Sequence, residues 1–227
     1  MKQKTFYSEL SYVVGILLLA LGGALTERAG LGLSMVVIPA YISHVLISQT
    51  HSFFTFGMAE YTLQAILLII MMLILRKFKL SYLFAFITAV FFGLMLDFFM
   101  LFTTQIPNES LAVRIVLYVP GIVITSAGVS LVFHTYISPE VYELFVKEVS
   151  AHFHKNINHF KTGFDITCLV ISIILSFVFF GFGNFVGVGV GTVICAFLNG
   201  FMIGRFSKLF EKLFVFKDLM PFRKYFE

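Results

Sequence analysis

Six ionisable residues, Glu27, Arg28, His44, Glu60, Asp97 and Asp165, stand within or at the edges of long apolar stretches. Taking a charge out of water costs free energy unless a partner or a change of protonation compensates, so these residues are the first candidates for chemistry. Carboxylates in such a setting hold a proton, a cation or a polar solute, and an imidazole such as His44 titrates near neutral pH. The expected arrangement is a polar vestibule on the exterior side. There Arg28 pairs with one carboxylate while Glu60 and Asp97 face a solute or a proton. The competing expectation is that these residues snorkel to lipid headgroups or form a structural ion pair.

Other reactive residue types give weaker signals. His152, His154 and His159 in "HFHKNINH" lack a nearby Cys or a carboxylate at ligand spacing, so no metal is expected there. Cys168 and Cys195 both sit in apolar stretches and read as packing residues. GxSxG, HExxH, Walker and CxxCH patterns are missing, so neither an enzyme nor a cofactor is expected. The run "GNFVGVGVGTVICAFLNGFMIGR" has no Lys-Ser/Thr pair of the kind a phosphate loop needs. Its Gly183, Gly187 and Gly191 recur at i, i+4 and i+8, as do Ala196, Gly200 and Gly204, which predicts two small-residue helix faces for close packing.

The elements that must position these residues follow from composition. The 227 residues are 59% hydrophobic and 12% charged, with mean hydropathy +0.97, far from the balance of soluble domains. Apolar stretches long enough to cross a bilayer lie at about 9–26, 58–75, 80–103, 111–134, 164–182 and 185–207. Segment 31–49 is uncharged but holds Pro39 and His44. Segment 136–150 carries Glu140, Glu143, Lys147 and Glu148, too many charges to cross, and reads as an amphipathic helix at the interface. With six spans and both termini inside, every Lys and Arg except Arg28 and Arg114 falls on the cytoplasmic side.

Gly22, Leu25, Gly57, Ala89, Gly93 and Phe99 each find an identical residue 106 to 107 positions later. The shared offset indicates a repeat, and it pairs 31–49 with the polar segment near 137–150. The expected fold is therefore all-α and integral to the membrane: one domain, 1–227, with repeat one at 9–103, repeat two at 111–207 and a basic cytoplasmic tail at 208–227. Three crossings per half make the repeats inverted, each with a re-entrant or interfacial segment, a plan that places sites where the repeats meet. In the repeat register Glu60 and Asp165 differ by a single residue, one acid per half.

The stretches "LGGALTERAGLGLSM", "FGMAEYTLQAILL", "FKTGFDITCLVISIILS" and "VGVGVGTVICAFLNGFMIGRF" resemble the bacterial YczE/YyaS/YitT membrane proteins over most of residues 10 to 210. Where that family often has a proline after Leu-Gly-x-Ser, Met35 follows Ser34; the second half keeps Pro139. The soluble C-terminal domain of one branch has no counterpart. The resemblance implies a multi-span protein of the bacterial cytoplasmic membrane and names no substrate. The expected function is a small transporter, an exporter or facilitator, of a small polar or organic solute. Its partners would be the lipid bilayer, that solute and a possible second copy, but no nucleic acid. The alternative is a membrane scaffold that binds a protein or lipid.

Overall fold

The computed structural model describes residues 4–221 and 223. In chain order the elements are β1 (Lys4–Tyr7), α1 (Ser8–Ala29), α2 (Ile38–Ser48), α3 (Phe56–Leu75), α4 (Leu80–Thr103), α5 (Leu111–Phe133), α6 (Val141–His152), α7 (Ile157–Phe180), α8 (Val190–Leu213) and β2 (Phe214–Lys217). Helix dominates because backbone N–H and C=O groups away from water must be satisfied within their own segment. Six helices, all but α2 and α6, are long and apolar enough to cross a bilayer. Their outward residues suit hydrocarbon: Leu73 is 71% and Phe197 79% exposed.

The caps are local and specific. Gly30 ends α1 in the left-handed conformation at φ 59°, and Arg114 donates to the carbonyls of Ala29 and Gly30. The Thr55 hydroxyl accepts the Met58 amide at 3.1 Å to start α3. At the opposite end of the bundle, β1 and β2 form a parallel pair with Lys4 opposite Phe214, so both ends of the described chain lie together. The described part of the segment expected as a basic tail, 208–227, begins inside α8. Helix α8 runs on to Leu213, and the Glu9 carboxylate holds the amides of Leu219 and Met220. Lys2 and Lys224 lie outside the described residues.

Close helix crossings are made by glycine. A Cβ on Gly22 would stand 2.7 Å from the Gly121 carbonyl oxygen, and one on Gly128 would stand 2.6 Å from that of Gly15. As the residue number rises along α1 it falls along α5, so these two helices cross antiparallel. Gly57 and Gly93 join α3 to α4 in the same backbone-to-backbone way.

The order long, short, long, long occurs twice. Helix α1 packs on α4 as α5 packs on α8, and α2 packs on α7 as α6 packs on α3. The α3–α4 pairing breaks this pattern: those two helices are in close contact, whereas α7 and α8 make little or no contact.

The two short helices are inserted rather than laid on a surface. The Thr88 hydroxyl, eight residues into α4 and so about 12 Å from its start, bonds the Ser138 carbonyl at 3.0 Å. The chain before α6 therefore enters the bundle, and α6 runs back out to Glu148, which pairs with Lys79 at 3.0 Å. The interfacial placement expected for 136–150 is corrected, since Val141, Tyr142, Leu144, Phe145, Val146 and Val149 are buried. Of its charges, Glu143 and Glu148 form partly exposed ion pairs and Lys147 faces outward.

The glycine run also differs from its expected form. Gly183 and Gly187 are not on a helix; they lie between α7 and α8 at φ 91° and 74°. The Leu33 amide donates to the Gly187 carbonyl at 2.9 Å and the Gly191 amide to the Leu31 carbonyl at 2.8 Å. The run is a backbone clamp on the loop after α1, and side chains at Gly189 or Gly191 would collide with Leu31. Gly200 and Gly204 are helical, but no atom comes within 4 Å of where their side chains would be.

Candidate functional site

Buried polar groups gather where α3 meets α6. Glu60 and Gln64, one turn apart on α3, are both 0% exposed. The Gln64 carbonyl takes the first amide of α6, that of Val141, at 3.0 Å, which turns its amide nitrogen toward Glu140 Oε2 at 3.3 Å. The Tyr142 hydroxyl donates to Glu60 Oε2 at 2.9 Å. The remaining oxygens, Glu60 Oε1 and Glu140 Oε1, are shut from water without a hydrogen-bond partner. Among the described residues neither carboxyl has a Lys, Arg or His within ion-pair distance.

Two acids with no cation cannot both ionise cheaply at that depth; such a pair holds a proton or takes up a cation. Glu140 lies outside the membrane-spanning helices. Burial, then the neighbouring charges of Glu60 and Glu143, push it well above the usual carboxylate range. The sign of the pH effect follows. The folded protein keeps a proton on Glu140 that the unfolded chain loses near pH 4.3, so stability falls as pH rises from there, by up to about 1.4 kcal/mol per unit. Melting curves in detergent between pH 4 and 7 are expected to show this decline, and Glu140→Gln to flatten it. An unchanged slope in that variant would contradict the assignment.

A second group of charges leads from this pair to the surface. Glu143 binds Lys161 at 3.2 Å, both half exposed, and Asp165 stands beside them with Oδ1 unpartnered. Tyr142 and Cys168 also line a groove of about 700 Å³ between α3, α6 and α7, with Lys155 and His159 on its wall.

The expected vestibule is taken apart. Arg28 pairs with no carboxylate among the described residues; its Nε donates to the Ile106 carbonyl at 2.6 Å. Asp97 is a helix cap, accepting the Thr55 hydroxyl at 2.6 Å and the Gly57 amide at 2.8 Å. Glu27 accepts from the Tyr41 hydroxyl at 3.3 Å. His44 bonds the Phe54 carbonyl through Nδ1 at 2.8 Å and packs on Tyr41 and Phe56. Of the six residues, Glu60 lies in the α3–α6 site and Asp165 beside its outer end. Sequence reasoning missed Gln64, Glu140 and Tyr142. The available signal was Glu140 directly after Ser138-Pro139, at the start of a helix in the segment that the repeat pairs with 31–49.

A family model described as a family of unknown function (DUF6198) matches residues 6–208. Comparison with curated proteins and with solved structures gives no match.

Proposed function

Because the chain belongs to that family of unknown function, whose description carries no activity, we propose a function from the site itself: a proton-coupled transporter of a small organic solute. The observation that carries this reading is the pair of acids without a cation, fully buried Glu60 from the first half and half-buried Glu140 from the second, each with an orphan oxygen shut from water. An acid pair that ties two halves together changes their fit when it gains or loses a proton. That is the coupling an exchanger needs.

The antiparallel crossing of α1 and α5, with Gly15 against Gly128 and Gly22 against Gly121, supports two inverted repeats of three crossings. Gly15 and Gly121 are 106 apart, as are Gly22 and Gly128, so each contact is the other with the halves exchanged. The short helices then match the interrupted helices that build transporter sites near mid-membrane. Glu140 opens one of them. Resemblance to the YczE/YyaS/YitT proteins and the clustering of Lys and Arg support a bacterial cytoplasmic membrane with both termini inside.

The broken pairing gives alternating access a form. Gly163 and Gly200 correspond to Gly57 and Gly93, yet nothing lies within 4 Å of either side-chain position. In the alternate state α7 closes on α8 through Gly163 and Gly200 while α3 and α4 part. Cysteines at Gly163 and Gly200, in a Cys168→Ser, Cys195→Ser background, are expected to cross-link in membranes, with a yield that shifts when a pH gradient is imposed. Absence of cross-linking under every gradient would count against the motion.

The direct test is purified protein in liposomes: uptake driven by an inward-acidic or inward-alkaline gradient and matched by proton movement. A second reading, a membrane scaffold, rests on the open Gly200 and Gly204 face of α8. Partner co-purification with no flux would favour it.

A further inference from the structure

The halves also meet around a cavity of about 70 Å³, bounded by α1, the start of α2, α3, α4, α5 and α8. Leu19, Phe92, Thr125 and Asn199 all line it. Leu19 and Thr125 are 106 apart and Phe92 and Asn199 107 apart, the repeat interval. The same two positions of each half therefore face the cavity, and they differ in chemistry. The first half contributes Leu and Phe, the second Thr and Asn.

Thr125 Oγ1, set against Gly22, is buried without a hydrogen-bond partner. The Asn199 carbonyl oxygen accepts the Ser126 hydroxyl at 2.9 Å, which leaves its amide N–H groups to donate elsewhere. No carboxylate, Lys, Arg or His lines the space. A charged solute would enter without a counter-charge, at a cost of several kcal/mol. A neutral one with an acceptor oxygen would take a hydrogen bond from the Asn199 amide while its carbon end lies on Leu19 and Phe92.

On the premise that the protein is a transporter, we infer that this cavity is the solute site and that the solute is a neutral short-chain amide or alcohol. Size follows from volume. An apolar cavity of about 150 Å³ takes up benzene, so roughly half that volume holds about three or four heavy atoms.

The test uses the full-length protein in nanodiscs with acetamide as probe and acetate and ethylammonium as charged comparators, read by ligand-observed NMR and thermal melting. Wild type is expected to bind acetamide and neither ion. Asn199→Leu should weaken acetamide about tenfold. Thr125→Val removes an unsatisfied hydroxyl that is shut off from the cavity, so it should raise the melting temperature and leave acetamide affinity unchanged. Because Leu matches the shape of Asn, the Asn199 variant keeps its fold, and wild-type affinity in it would overturn the inference. Equal binding of acetate or ethylammonium would do the same.

The transport premise fails separately. If acetamide binds but is never moved, the cavity stands as a binding site and the transporter reading falls. If pH-driven flux of another solute proceeds and acetamide neither binds nor competes, the cavity assignment falls while transport stands. Glu60→Gln with Glu140→Gln should keep acetamide binding, and its loss there would place the solute on the acids instead.

Discussion

Glutamine at both Glu60 and Glu140 is expected to reduce pH-driven uptake to the level of protein-free vesicles while the protein stays folded. An amide has the shape of a protonated carboxyl, and its carbonyl can still accept the Tyr142 hydroxyl that Glu60 Oε2 accepts at 2.9 Å. Neither carboxyl has a cationic partner to lose, so near pH 4, where both carboxyls are protonated, the change in stability is expected to stay within about 1 kcal/mol, and at higher pH the double variant is expected to be the more stable protein. What disappears is the site where a proton can rest and leave. Exchange of solute without a gradient should persist, because the cavity walls contain neither residue. The measurement is uptake in liposomes with and without an imposed pH difference. Retention of gradient-driven uptake by the double variant would remove both acids from the mechanism.

The largest loss of stability is expected from Gly22→Leu. A Cβ there would stand 2.7 Å from both the Gly121 carbonyl oxygen and the Thr125 backbone nitrogen. Backbone cannot move aside as a side chain can, so α1 and α5 would have to separate, at a cost of more than about 3 kcal/mol. Because this crossing joins the halves, the variant should aggregate in detergent and lose its monodisperse elution peak. Gly23→Ala, one residue away, is the control: its nearest neighbour is Leu96 Cδ1 at 3.3 Å, the movable end of a side chain. Equal elution and melting of Gly22→Leu and wild type would show that the crossing does not hold the halves together.

The six long helices were legible from hydropathy because the length needed to cross hydrocarbon is a local property of the chain. Boundaries were less so. Residues 185–189 read as part of a span, yet they form a loop, since Gly187 adopts a left-handed φ and its carbonyl is taken by Leu33. A periodic row of glycines looks the same whether it lines a helix or lets two backbones touch. Only the partner, here the loop after α1, distinguishes them.

The site shows the same division. Glu60 stood out because a lone acid in an apolar run is unusual wherever it occurs. Asp97 stood out equally and proved to be a cap, since its carboxyl meets the free amides at the start of α3. Glu140 was passed over because its segment is rich in charge and so looked solvated.

Composition and spacing by themselves determined that this chain has six long apolar helices, and that the segments 31–49 and 136–150 differ from them. These are consequences of each residue's own affinity for water or lipid, summed over a window. Which acids are left without a counter-charge was decided only by the tertiary structure. Compensation depends on what another helix brings within about 3 Å, and Glu60 and Glu140, 80 residues apart in the chain, become neighbours only when α6 turns back into the bundle.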